Sequence, residues 1–205
     1  MTRVYFVRHA QPEHDWEEDR TRPLTEEGKK DSAIVLEFLK DKKIDAFYCS
    51  PYKRSMDTIA EAADFFTKEI ITDGRLRERE KGLDGNNHGM FRKRWADHNY
   101  HEEGGESIAM VQKRNIEALN EILSDNTDKD IVIGTHGTAL STILNFYDNN
   151  FGREDFLRII DWMPYIIELD FESSCNEMES ECPSYSFKLI GKQEHCYIEK
   201  EFKGK

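Results

Sequence analysis

Short runs of apolar residues alternate along this chain with longer stretches in which apolar positions recur every three or four residues. Val4, Tyr5, Phe6 and Val7 form the first run, so residues 3–8 read as a buried strand. A polar, acidic loop leads to "LTEEGKKDSAIVLEFLKDKK", where Thr25 can cap a helix that carries Glu26 and Glu27 in its first turn and Ala33, Leu36 and Leu39 on its buried stripe. "IDAFYCS" (44–50) reads as a second strand. The helix after it opens at Pro51 and carries Ile59, Ala62, Ala63 and Phe66 at helical spacing. "EIITD" (69–73) reads as a short third strand. Residues 74–105 lack a clear period and read as a long excursion with one or two short helices. A helix with Ile108, Val111, Leu119 and Ile122 on one face follows, then an apolar strand, Ile131–Ile133, that runs into His136. A helix from Thr138 to about Tyr147 comes next. Strands are expected near 165–171, 184–190 and 195–200, the first two joined by the acidic loop "ESSCNEMESECPS".

Strands alternating with helices predict a three-layer α/β/α sandwich with a mostly parallel central sheet. At 205 residues the chain suits a single domain over 1–205, with the 74–105 excursion as a lid or specificity insertion. The net charge of −12 argues against binding nucleic acid or an acidic membrane, because phosphate backbones attract basic surfaces. The N-terminal apolar run is far shorter than a signal core or a membrane span. Cys49, Cys175, Cys182 and Cys196 form no C-x-x-C pair, so reduced thiols in a cytoplasmic protein are expected, without a zinc or redox role.

Ligands of parallel sheets bind beyond the carboxyl ends of the strands, and two strands here end at histidines, His9 and His136. Arg8 precedes His9 directly, and Arg54 lies four residues after Ser50 at the start of the helix leaving the second strand. If the strands are neighbours, two guanidiniums and two imidazoles converge. Such groups repel one another and resist desolvation unless an anion joins them. A phosphoryl group fits, since its oxygens accept bidentate arginine hydrogen bonds. A neutral imidazole can attack phosphorus while the cations stabilise the equatorial oxygens, and a leaving alkoxide then requires a carboxylic acid nearby.

The motifs carrying these residues resemble the histidine phosphatase superfamily, whose other branch holds the cofactor-dependent phosphoglycerate mutases. "VRHA" is similar to its strand-end R-H-G, "LTEEG" to L-T-x-x-G, "SPYKRSMDT" to S-P-x-x-R-x-x-x-T, "LREREKG" to the mutase L-N-E-R-H-Y-G, "GGESIAMVQKR" to its G-E-S helix start and "GTHG" to its second-histidine motif. They occur in the family's order over residues 3–140. The resemblance implies that His9 is the phosphorylated nucleophile and Glu78 the proton donor, with Glu80 as the alternative acid. It implies that Arg8, Arg54 and His136 hold the phosphoryl oxygens, and that Arg79, Gln11 and Gly137 add substrate contacts. It implies a histidine acid phosphatase-type phosphoric monoester hydrolase acting on a small phosphate ester, with no metal and no cofactor. A mutase and a non-catalytic phospho-ligand binding module are the alternatives.

Two departures bear on this reading. Ala10 stands where the family mostly has glycine, which matters only if the backbone there is left-handed. Pro12 and Asp15 replace residues of R-H-G-Q/E-S/T-x-x-N, and an ionised aspartate cannot donate to phosphate as asparagine does. Losing the mutase pattern in this loop favours phosphatase over mutase. Among other candidates, His98, His101 and Glu102 suggest a metal site and the three-residue spacing of the histidines fits a helix face, but no further ligand is evident. His88, Arg92, Lys93, Arg94 and Trp95 either line the substrate mouth or lie on the surface. Ser50 reads as a turn residue, Thr58 as a packed helix residue, and neither Ser50 nor Ser107 has a serine-hydrolase context.

Overall fold

In the computed structural model, which describes residues 1–83, 88–175 and 185–200, the alternation resolves into one sheet. β1 (Thr2–Arg8), β2 (Ala46–Cys49), β3 (Ile70–Thr72), β4 (Asp130–Thr135), β5 (Trp162–Cys175) and β6 (Tyr185–Glu199) lie in the order β3-β2-β4-β1-β5-β6. β3, β2, β4 and β1 run parallel, and the β5–β6 hairpin closes one edge antiparallel. The expected mostly parallel sheet is therefore present.

Helices cover both faces. Along β1, Tyr5 and Val7 face a core with Val35 and Leu39 of α2 (Ala33–Leu39) and Ile59, Ala62 and Ala63 of α3 (Lys53–Phe65). Val4 and Phe6 face the opposite core with Leu119 and Ile122 of α5 (Ile108–Asp125), Leu140 and Ile143 of α6 (Gly137–Tyr147), and Phe156 and Ile159 of α7 (Arg153–Ile159). The period-2 alternation of one strand thus feeds two helical layers. Among the described residues, no helix is long and apolar enough to cross a membrane.

Three elements differ from expectation. The helix expected after Thr25 divides into α1 (Glu26–Asp31) and α2, because Ser32 turns its hydroxyl onto the Lys29 carbonyl at 2.7 Å and competes with the helical ladder. The expected strands at 184–190 and 195–200 are one strand, β6. Its polar middle, which resembles a turn in sequence, is an edge strand with register shifts against β5. Gly191 suits that approach, since a Cβ there would stand 2.8 Å from Asp170 Oδ2. Finally, α7 is a helix in a stretch with no predicted element; the Asp155 carboxylate accepts the Gly152 N–H at 3.0 Å to start it. The excursion carries a 3-10 turn at Gly74–Leu76 and α4 (His88–Ala96), as expected. Most of the acidic loop joining β5 and β6, with Cys182, lies outside the described residues.

Register sets what meets at the carboxyl ends. Arg8 is paired with Thr135 and Cys49 with Gly134. The His9 N–H then reaches the Thr135 carbonyl at 3.2 Å, and the Ser50 N–H reaches the Gly134 carbonyl at 3.0 Å. Gly134 is squeezed at this junction: a Cβ there would lie 2.5 Å from Cys49 Sγ and 3.2 Å from Ile59 Cδ1. Gly134→Ala is expected to destabilise the protein by about 1–3 kcal/mol through overpacking, read as a lower urea midpoint at unchanged m value.

Candidate active site

The tips of β1, β4 and β2 deliver Arg8 and His9, His136, and Ser50 with Arg54. All five are buried. The His9 and His136 rings meet edge to face with centroids 5.2 Å apart. The convergence expected from sequence is thus realised.

Each side chain is held by a specific partner. His9 Nδ1 lies 2.8 Å from the Ala10 carbonyl. A carbonyl only accepts, so Nδ1 carries the proton and Nε2 keeps its lone pair. Arg8 donates from Nη1 to the carbonyls of Ile159 (2.5 Å) and Trp162 (3.2 Å), while its buried Nε has no hydrogen-bond partner. Gly137 makes room for that guanidinium, since a Cβ there would sit 3.3 Å from Arg8 Cζ. Arg54 packs over the Tyr52 ring and donates to the Asp19 carbonyl at 2.6 Å, with longer contacts of 3.4 Å to the Asp19 carboxylate. His136 places Nε2 2.7 Å from Ser50 Oγ and leaves Nδ1 buried without a partner.

Glu78 comes from the excursion. One carboxylate oxygen accepts the Thr138 N–H in the first turn of α6 at 3.0 Å, and the other accepts the Arg79 N–H at 2.7 Å. A carboxylate at a helix N-terminus is favourably placed. The segment beneath it is pinned by Arg114 of α5, which donates to the carbonyls of Arg75 (2.6 Å), Arg77 (2.8 Å) and Glu78 (3.1 Å) and to both oxygens of Glu106. Arg79 itself is buried in this network, donating to the carbonyls of Glu80 and Glu106 and lying 3.5 Å from Glu102. Its guanidinium is thus engaged by the protein. Gln11 lends its side-chain oxygen to the Thr25 hydroxyl at 3.2 Å. Glu80 is exposed.

Electrostatically the site is strained toward an anion. Burial pushes the Arg8 guanidinium down to about 10 and lowers Arg54 as well. Burial, reinforced by the Arg54 charge, holds His9 and His136 well below the ordinary imidazole range, so both rings are neutral. The orphaned Arg8 Nε, with the Arg54 guanidinium close by, forms a cradle suited to a phosphoryl group.

The sequence departures resolve in physical terms. Among the described non-glycine residues positive φ occurs at Thr67 and Asp128, so Ala10 carries no such strain. Asp15 is exposed; Asp19 is the loop carboxylate that meets Arg54. Glu102 pairs with Arg94 at 2.5 Å, which takes it from the His98–His101 group. Among the described residues no three His, Cys, Asp or Glu are grouped to hold a metal ion. Arg94 is buried and Trp95 packs on Phe156, whereas Arg92 and Lys93 are exposed. The His88 side chain is outside the described set. Thr58 does more than pack: its hydroxyl accepts the Ala10 N–H at 2.9 Å and donates to the Arg54 carbonyl at 2.7 Å, tying β1 to α3. The S-P-x-x-R-x-x-x-T spacing held that signal. Nothing in the pattern signalled Asp19 or the Ile159 and Trp162 carbonyls.

Residues 4–161 match the family model described as "Histidine phosphatase superfamily (branch 1)". The chain belongs to this superfamily. It is 28% identical over 153 residues to Phosphoserine phosphatase 1 of Hydrogenobacter thermophilus, covering 66% of this chain and 71% of that one. It is 44% identical over 55 residues to a 2,3-bisphosphoglycerate-dependent phosphoglycerate mutase of Thermoplasma acidophilum, covering 27% and 28%. A phosphoserine phosphatase mutant of Entamoeba histolytica solved with phosphoserine shares the fold with a TM-score of 0.70 at 21% identity, over 92% of this chain and 97% of that one. Family and relatives together support phosphatase activity.

The neutral histidines give a pH dependence. The unfolded chain takes up protons below about pH 6.5 that the folded His9 and His136 refuse. Their stabilising contribution is therefore complete above that pH and lost as pH falls toward their folded values. Urea unfolding in phosphate-free buffer from pH 7.5 to 5 is expected to show stability falling by up to about 1.4 kcal/mol per pH unit for each histidine. His9→Ala removes one share of that slope.

Proposed function

We propose that this protein is a phosphomonoesterase of the histidine acid phosphatase type, in which His9 Nε2 takes the phosphoryl group of a small phosphorylated metabolite. The observation that carries this reading is the His9 tautomer: Nδ1 is bound to the Ala10 carbonyl, which leaves the lone pair on Nε2 of a ring packed beside His136. Nε2 attacks phosphorus and the P–O bond to the leaving group breaks. Arg8, Arg54 and His136 carry the equatorial oxygens, and Glu78, which enters the step protonated as the phosphate dianion binds beside it, gives that proton to the departing alkoxide and is left as a carboxylate. Water then attacks the phosphohistidine, Glu78 takes a proton back, and phosphate leaves with His9 restored. The residues present suffice for these steps without a metal or organic cofactor. The named relatives make phosphoserine and phosphoglycerate-like acids the first substrates to try. The unpaired cysteines Cys49 and Cys196 agree with a reducing, cytoplasmic setting.

Incubation with 32P-labelled ester, followed by an alkaline SDS quench, should trap an alkali-stable, acid-labile phosphoenzyme in the wild type, whereas His9→Ala loses both this species and turnover. Turnover without a phosphoenzyme in a rapid-quench series rejects the covalent route. Isomerised 3-phosphoglycerate exceeding free phosphate, with bisphosphoglycerate present, would make the protein a mutase; no release from a broad ester panel would make it a binding module.

Glu78→Gln should slow alkyl phosphates on the order of 10²–10⁴-fold, the span of general acid catalysis, and p-nitrophenyl phosphate far less, because a phenolate leaves with little protonation. Equal slowing of both substrate types removes Glu78 from the acid role.

A further inference from the structure

We infer that Ser50 is a positioning residue that locks His136 with its proton on Nδ1, making this ring a neutral hydrogen-bond donor to the transferred phosphoryl group. The inference rests on the phosphoryl-transfer reading above and deepens it.

The argument is a donor inventory. Ser50 lies between β2 and α3, fully buried, its backbone fixed by the Gly134 carbonyl at 3.0 Å. Its hydroxyl oxygen receives the Tyr52 N–H at 3.3 Å and stands 2.7 Å from His136 Nε2. A serine hydroxyl has one proton to give, and since Tyr52 is a donor, the acceptor within reach of Ser50 Oγ among the described residues is Nε2, so the proton goes to that lone pair. A neutral His136 then carries its own proton on Nδ1, the buried atom that has no partner. Burial and the Arg54 charge keep the ring neutral. The Tyr52 ring meets His136 edge to face at 5.2 Å and restricts its rotation.

The outcome is an asymmetric pair. Both imidazoles carry Nδ1–H, yet they are tied by opposite edges. His9 spends Nδ1–H on Ala10 and is left with a lone pair, which suits a nucleophile. His136 spends its lone pair on Ser50 and is left with an N–H, which suits an anion. A buried N–H without a partner is costly in the empty site and is satisfied once a phosphoryl oxygen arrives. Sequence alone gives Ser50 a turn role; the second role appears only when the β2 and β4 tips are set side by side.

Ring-15N-histidine labelling and two-bond 1H–15N correlation of the phosphate-free wild type at pH 7.5 test this directly. His136 is expected to show a protonated Nδ1 and a bare Nε2; the reverse pattern overturns the proposal. In Ser50→Ala the His136 signals should move toward a mixture of tautomers, and kcat should fall on the order of 10²-fold, as for loss of one transition-state donor, with KM changed only a few-fold. Ser50→Thr, which keeps the hydroxyl, should return the Nδ1–H pattern. A Ser50→Ala protein with an unchanged tautomer and unchanged kcat also overturns it. If Ser50→Ala does not fold, the wild-type spectrum decides. A wild type with the expected tautomer but no phosphatase activity would sink the reaction assigned above and leave the serine–histidine arrangement standing.

Discussion

Taking charge out of water is the constraint on which this molecule turns. Arg8 and Arg54 are nearly inaccessible to solvent at the carboxyl end of the central strands, where His9 and His136 are buried as well. Burial opposes each guanidinium, and each guanidinium opposes protonation of the imidazoles. A core built for stability alone would fill this volume with apolar side chains, since buried charges break even at best. The arrangement makes sense when a dianion completes it. The same opposition that weakens the empty protein keeps the His9 ring neutral, as the nucleophilic role proposed for it requires.

The sheet makes this packing possible without large loops. β1, β4 and β2 are parallel neighbours, so the three functional side-chain groups leave their strands at the same level. Backbone bonds from His9 to Thr135 and from Ser50 to Gly134 carry the register one residue past the strands. A slip of one residue would exchange the faces of Tyr5 and Val7 with those of Val4 and Phe6, so both cores resist it. Apolar packing therefore fixes the polar geometry.

Much of this was legible in the sequence, for identifiable reasons. The strands β1 and β4 are short, apolar and end at His9 and His136, so period and chemistry coincide. Helices α3, α5 and α6 have strong stripes. What failed was local or long-range. α7 is short, with few apolar positions to repeat, and β6 hides its continuity behind polar edge residues. The excursion was readable as a place but not as a mechanism: its described residues are tied down by Arg114, Glu106, Arg79 and Glu102, which meet across sequence distances that no motif spans. Arg79, which carries a substrate-binding expectation from its motif position, is anchored in that network through Nη1.

The acidic loop before α1 answers a related problem. The family pattern would bring an asparagine toward the phosphate, but this chain exposes Asp15 and sets Asp19 against Arg54 instead. The two kinds of contact from Asp19 differ in strength. Its carbonyl lies 2.6 Å from Nη1, while the carboxylate oxygens stand off at 3.4 Å and one of them, Oδ1, also pairs with Arg22 at 3.1 Å. A phosphate approaching Arg54 meets a short bond that fixes the guanidinium plane and a looser carboxylate already balanced by a second arginine. Arg54 has five N–H donors, so it can keep the carbonyl and still offer others to an anion. The carbonyl orients Arg54, Arg22 offsets the Asp19 charge, and an acidic loop can border a phosphate cradle without cancelling it.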